Sequence, residues 1–194
     1  AKASAGELPT VLSQQLDPYY LAPLWVDTVS LAAMQARLLI EKGLASERSM
    51  AEVVARARKH AMCNPHAQIS GEFSVESLLA ADTVVSPLRE SDCAPVADGA
   101  AAMIICTVAK AREWGVPYAV ISGIDHRIET HNLGMRDLTD SPSTRQAAAA
   151  AGVGRGPVEV AELYAPYSHQ EIILSRALGL GDETVINPSG GVMA

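Results

Sequence analysis

The sequence predicts an α/β fold in which helices layer against a sheet. Strand-like runs alternate with helix-like runs through the second half of the chain. Serine-led capping boxes start several of those helices and glycines stop them. Of 194 residues, 48% are apolar and 19% charged, a balance that builds a sizeable core rather than a disordered chain. Aromatics make up only 4%, so small smooth side chains such as alanine and valine do most of the packing between layers.

Taken in order, residues 1–27 are turn-rich, with Asp17-Pro18-Tyr19-Tyr20 and Ala22-Pro23-Leu24-Trp25 as irregular stretches. Leu31, Met34, Leu38 and Leu39 recur at helical spacing up to Gly43, which ends a first helix. Ser49 and Glu52 read as the capping box of a second, whose apolar face holds Val53, Val54 and Ala57. A polar passage over 63–68 leads to a short helix begun by Ser74, and Pro87 and Pro95 bracket a loop. Residues 99–106 are apolar on both faces, as a central strand is. A short helix to about Trp114 and a strand over 118–124 follow. A long polar loop then precedes a helix with Ser143 and Gln146 as its box and Gly152 as its stop. Last come a strand over 158–163 and a helix opened by Ser168 and Glu171, with Tyr167 and Ile172 at the staple positions and Gly179 at its end. Strands joined through helices imply right-handed crossovers and an α/β layered domain.

Several function classes drop out early. A net charge of −7 without a basic stripe argues against nucleic-acid binding. Cys63, Cys93 and Cys106 are odd in number and lack ligand spacing, which points to free thiols in a reducing cytoplasm. His126 and His131 lack a third ligand at a familiar spacing, so no metal is expected. No apolar run reaches membrane-spanning length, and no GxGxxG follows a strand. The apolar run opened at Gly190-Gly191 breaks off at Ala194 and the chain starts in mid-loop, so both ends read as cut.

The chemistry-bearing segments are 158–171 (VEVAELYAPYSHQE) and Asn187-Pro188-Ser189-Gly190-Gly191. Two polar loops at the ends of adjacent elements are where α/β folds place their sites. Tyr164 ends a strand just before a helix N-terminus, where the macrodipole favours negative charge. Its phenol either donates to an oxyanion and exchanges a proton, or simply packs as a strand-end aromatic. His169 is either an exposed first-turn residue or a neutral imidazole facing the cleft. Glu162 shares the strand face of Tyr164 and is either an orienting group or, the favoured reading, a structurally paired carboxylate. Gly190 and Gly191 allow close backbone approach, to a ligand or within a tight turn.

Three motifs, in order and at matching spacing, resemble thiolases. Val96-Ala97-Asp98-Gly99-Ala100-Ala101 is similar to the Asp-Gly-Ala-Ala segment that opens the thiolase C-terminal half. The run from Glu162 to Glu171 stands where thiolases carry Asn-Glu-Ala-Phe and sterol-carrier thiolases His-Asp-Cys-Phe-Ser. Asn187 to Gly191 looks like the Asn-x-x-Gly-Gly loop that follows, and Asn64-Pro65 and Ser86-Pro87-Leu88-Arg89 fit as well. The closest likeness is to the thiolase-like lipid-transfer proteins and steroid side-chain aldolases of the sterol-carrier type. The resemblance covers nearly the whole chain but only about half of a thiolase. It implies a segment over 1–97 leading from the first thiolase half and a C-terminal thiolase-like α/β domain over 98–194.

The departures bear most on function. Tyr164 occupies the place of the Asn or His that holds a catalytic water in thiolases, and Ala165 that of its acidic neighbour. None of the three cysteines matches a thiolase nucleophile. The resemblance therefore implies acyl-CoA chemistry by retro-aldol cleavage, with Tyr164 and His169 as catalytic residues. Asn187, Ser189, Gly190 and Gly191 would lie beside the thioester. Arg127 or Arg136 would reach a coenzyme A phosphate, or the long loop would merely be solvated. It further implies coenzyme A as the substrate's carrier with no other cofactor, a homodimer, and an OB-fold partner protein. The alternatives are a thiolase whose nucleophilic cysteine lies outside this chain, or a non-catalytic subunit that binds coenzyme A esters.

Overall fold

Asp27 starts the first long helix by accepting a 2.6 Å hydrogen bond from the backbone N–H of Ser30. The computed structural model describes residues 10–11, 14, 17–24 and 26–194, so most of the turn-rich N-terminal stretch, Trp25 included, lies outside the described residues. Helix α1 (Thr28–Glu41) turns Ala32, Ala33, Ala36 and Leu39 inward. The expected stripe through Met34 and Leu38 instead faces outward. Alanine faces let helices approach closely, and here they seat against Met50 and Leu88. Helix α2 (Glu47–His60) begins one turn earlier than the Ser49 box predicts: extended Ser46 is the cap and exchanges hydrogen bonds with Ser49. Its buried face, including Met50, Val53, Val54 and Ala57, matches the expected periodicity.

Ser74 caps α3 (Val75–Leu79) as expected. The proline-bracketed loop contains a small antiparallel hairpin, β1 (Thr83–Val85) and β2 (Leu88–Arg89), turning at Pro87. Helix α4 (Val108–Trp114) follows. The expected flanking strands over 99–106 and 118–124 are not formed among the described residues. A strand apolar on both faces needs a hydrogen-bonded neighbour at each edge and a layer over each face. Neither is supplied here, and Met103, Ile104 and Ile105 stand 79%, 83% and 71% exposed.

Helix α5 (Pro142–Ala151) also starts earlier than its predicted box, with Ser141 as cap and proline in the first turn. Glu129, from the preceding loop, accepts from the Ser143 backbone N–H (3.0 Å) and hydroxyl (2.6 Å), the contacts a local cap would make. Those bonds outweigh its burial and hold the Glu129 carboxyl below the usual range. The predicted strand over 158–163 shortens to β3 (Val160–Ala161), which pairs in parallel with β4 (Val185–Ile186). Helix α6 (Ser168–Leu178) connects them and stops at Gly179. The predicted Ser168–Glu171 box does not form. The Ser168 hydroxyl donates instead to buried Asp92 at 2.6 Å, and Glu171 turns inward.

Helix α2 is the spine of the molecule, packing on α3 and α6, while α5 lies along α6. Met193 closes a core with Ala51, Val54, Ala57 and Leu78. No helix among the described residues is long and apolar enough to cross a membrane.

Candidate active site

Parallel pairing of β3 with β4 sends both chains out at the same edge. The bonds Val185 N–H to Glu159 O (2.9 Å) and Asn187 N–H to Ala161 O (2.8 Å) set the register. The Tyr164 loop and the Asn187 loop therefore emerge side by side at the carboxyl ends of adjacent strands. This is the juxtaposition the two motifs predicted.

The Asn187 loop is bound inward at nearly every polar atom. Asn187 is 2% exposed and has a positive φ of 49°. Its side-chain oxygen accepts from the Leu163 N–H at 2.6 Å, and its amide donates to Glu171 Oε2 at 2.7 Å. Its carbonyl lies 3.0 Å from His60 Nδ1; a carbonyl only accepts, so His60 donates there. Glu171 also pairs with the Arg56 guanidinium, which ties this loop to α2. Glu162 accepts from the Ser189 N–H (2.9 Å) and hydroxyl (2.8 Å), the structural pairing expected of it. The glycines are required by packing as well as by φ. A Cβ on Gly190 would sit 2.7 Å from the Ala61 Cβ, and one on Gly191 2.9 Å from the Asn187 side chain.

Tyr164 is 77% exposed. It stands at a cavity of about 370 Å³ whose walls include Gln35, Arg136, Gln170, Ile173 and Leu174. Arg136 is paired with Glu129 at 3.4 Å, and Arg127 with Asp125 at 2.8 Å. Ile173 and Leu174 give the lining apolar surface, and Gln35, Gln170, Asp140, Ser141 and the phenol give it polar groups. Cys93 is no nucleophile candidate: burial, then Asp92 and Glu90, push its thiol up to about 11.

His169 does not reach solvent; it is 0% exposed in the first turn of α6, its ring stacked on Tyr167. Its Nε2 lies 3.1 Å from Gln35 Oε1, and its Nδ1 has no partner. Gln35 is oriented by its own amide, which donates to the Leu138 carbonyl at 2.7 Å. The Gln35 oxygen therefore accepts, and the network assigns the proton of His169 to Nε2. Burial lowers the imidazole pKa to about 4. His169 is thus a neutral residue standing behind the cavity wall.

That burial has a pH consequence. The unfolded chain protonates His169 near 6.5 and the folded protein only near 4. Below 6.5 the unfolded state binds the extra proton, so stability is full above about 6.5 and falls between 6.5 and 4. The whole step is worth roughly 3 kcal/mol. Denaturant midpoints measured across this window are expected to fall in the wild type. In His169→Leu, less stable overall, the slope should be flatter by about one proton; an unchanged slope would contradict the burial of a neutral imidazole.

Gln35, Gln170 and Arg56 escaped the sequence reading as members of the site. The signal for Gln35 is visible afterwards: it is a polar residue set into the alanine face of α1, between Ala32 and Ala36. Its partner His169 is 134 positions away, a separation that no local pattern spans.

Comparison with known proteins sets this geometry in context. The benzoylsuccinyl-CoA thiolase subunit BbsB of Thauera aromatica is 28% identical over 186 residues, covering 84% of this chain and 48% of that protein. Sterol carrier protein 2 of Rattus norvegicus is 27% identical over 172 residues, covering 70% of this chain and 30% of that protein. Among solved structures, an Ltp2-ChsH2(DUF35) aldolase superposes with a TM-score of 0.69 at 19% identity, over 98% of this chain and 55% of that one. The chain is similar in sequence to thiolases and to sterol carrier protein 2, and it shares the fold of the solved aldolase. No family model matches it. This thiolase-like chain spans half or less of the length of those two curated relatives. Its α/β architecture is that of its structural neighbours.

Proposed function

We propose that the chain forms part of an enzyme that cleaves a carbon–carbon bond of a β-hydroxyacyl-CoA ester by retro-aldol chemistry. The observation that carries this reading is the placement of Tyr164: exposed, at the carboxyl end of a parallel strand, and bordering a cavity lined by both apolar and polar side chains. In the proposed step the β-hydroxyl passes its proton to the Tyr164 oxygen while the Tyr164 hydroxyl proton moves on, so that Tyr164 acts as the acid/base relay. The Cα–Cβ bond breaks as the C=O bond of a ketone or aldehyde forms. Its electron pair passes to the thioester as an enolate, which a proton returned to Cα converts into the shortened acyl-CoA. The superposition on an aldolase supports this reading at the level of the fold.

In the same proposal His169 acts from behind the cavity rather than on the substrate. Ser189, exposed on the neighbouring loop, contacts the ester, while Asn187, Gly190 and Gly191 hold that loop in place. The apolar stretches around Ile104 and Ile121, both exposed in this chain, suit contacts within a homodimer or with an OB-fold partner.

Incubating the full-length protein with β-hydroxyacyl-CoA and β-ketoacyl-CoA esters, with and without free coenzyme A, tests the reading. A ketone or aldehyde released from the β-hydroxy ester without added coenzyme A is the expected result. Products that appear only when coenzyme A is added would establish thiolysis instead, and tight binding without turnover would mark a non-catalytic subunit.

A further inference from the structure

The lining of the Tyr164 cavity includes two carboxamides, Gln35 and Gln170. Each carries two N–H donors and one oxygen. Gln35 commits one N–H to the Leu138 carbonyl at 2.7 Å, and Gln170 commits one to Gln35 Oε1 at 3.3 Å. Each keeps a second N–H that is given no acceptor by the hydrogen bonds of the described residues. The Gln35 amide is also locked against flipping. Its oxygen accepts from both Gln170 and buried His169, and a flip would set donor against donor there and oxygen against oxygen at Leu138. Fixed, unspent donors at a cavity wall are costly unless a ligand or solvent uses them.

We propose that Gln35 and Gln170 bind the carbonyl oxygen of an acyl thioester beside Tyr164, and hold the enolate oxygen into which it turns. The proposal rests on the retro-aldol reading and deepens it. When the Cα–Cβ bond breaks, its electron pair delocalises onto the thioester oxygen. Two N–H dipoles held at the cavity stabilise the charge with little reorganisation. His169 is the positioning residue of the pair, because its Nε2–H holds the Gln35 oxygen turned away from the ligand. A neutral imidazole performs this task without adding charge.

The test uses the full-length protein and octanoyl-CoA labelled with carbon-13 at the thioester carbonyl. This saturated ester has no β-hydroxyl and cannot be cleaved. Isotope-edited infrared difference spectra should show the labelled carbonyl stretch moving to lower frequency on binding. Gln35→Glu and Gln170→Glu each put an acceptor oxygen where the amide nitrogen stands, at equal size, and should abolish that movement. Turnover of a β-hydroxyacyl-CoA should fall about 100-fold in kcat, with a smaller change in KM. Gln35→Met and Gln170→Met, which add no charge, should reproduce the spectral loss if a glutamate variant folds poorly. An absent shift in the wild type, or a full shift in all four variants, overturns the carbonyl site. Loss of the shift in the variants without any wild-type cleavage activity refutes the retro-aldol reading and leaves the carbonyl site standing. Cleavage by the wild type with a shift insensitive to the variants refutes the site alone.

Discussion

Tyr164→Phe in the full-length protein is expected to lower kcat for β-hydroxyacyl-CoA cleavage by about 10²–10⁴-fold, the range of a single acid/base group. The substitution removes one hydroxyl from a side chain that is 77% exposed, so the fold has little at stake. Stability should stay within about 0.5 kcal/mol of the wild type. Because the phenyl ring still forms its part of the cavity, KM for the ester should change much less than kcat, the signature of an interaction used in the transition state. Steady-state kinetics and a thermal melt on the same preparation read both quantities. Wild-type turnover in the phenylalanine variant would remove Tyr164 from the chemistry.

Asn187→Ala is expected to produce the largest loss of stability. Its side chain accepts from the Leu163 N–H, donates to Glu171 Oε2, and lies 98% buried by complement of its 2% exposure. Truncation leaves the Leu163 N–H without that acceptor and Glu171, itself buried, with one bond fewer. Alanine also tolerates a positive φ less well than asparagine does. A cost on the order of 4 kcal/mol follows, or a melting point lower by roughly 10 °C. Asn187→Asp sharpens the test. It keeps the acceptor for Leu163 but sets a second carboxylate against Glu171, so it should be less stable than the wild type at neutral pH, with a deficit that shrinks on acidification. A melting point within about 2 °C of the wild type for Asn187→Ala would show that the loop is held by other contacts.

Taken together the two variants divide the two loops by role. The Tyr164 loop should carry activity with little stability, and the Asn187 loop stability above all. The sequence reading set both loops beside a thioester and had no means of ranking them. Exposure separates them, because a group that must meet a ligand needs an open face, whereas one that braces a neighbouring loop is buried by the act of bracing.

What the sequence by itself determined was the order of the helices and the meeting of two loops. Helix stops at Gly152 and Gly179 and the start at Ser74 are set by local backbone chemistry, and they hold. The two polar loops expected at the ends of adjacent elements do meet; the strand before Asn187, which the sequence pattern did not announce, completes a strand–helix–strand unit that brings like ends together. The capping boxes led by Ser49, Ser143 and Ser168 failed for different reasons, although the last helix does open at Ser168: a serine one turn earlier capped α2, distant Glu129 reached the start of α5, and Asp92 drew the Ser168 hydroxyl away. The strands over 99–106 and 118–124 have the right pattern and lack the neighbours that turn an apolar run into a sheet. Only the tertiary structure decided that His169 is sealed and neutral, that Asn187 braces Glu171, and that Gln35 stands beside Tyr164. Each depends on a contact between segments far apart in the chain, and such contacts are settled by packing rather than by any local spacing.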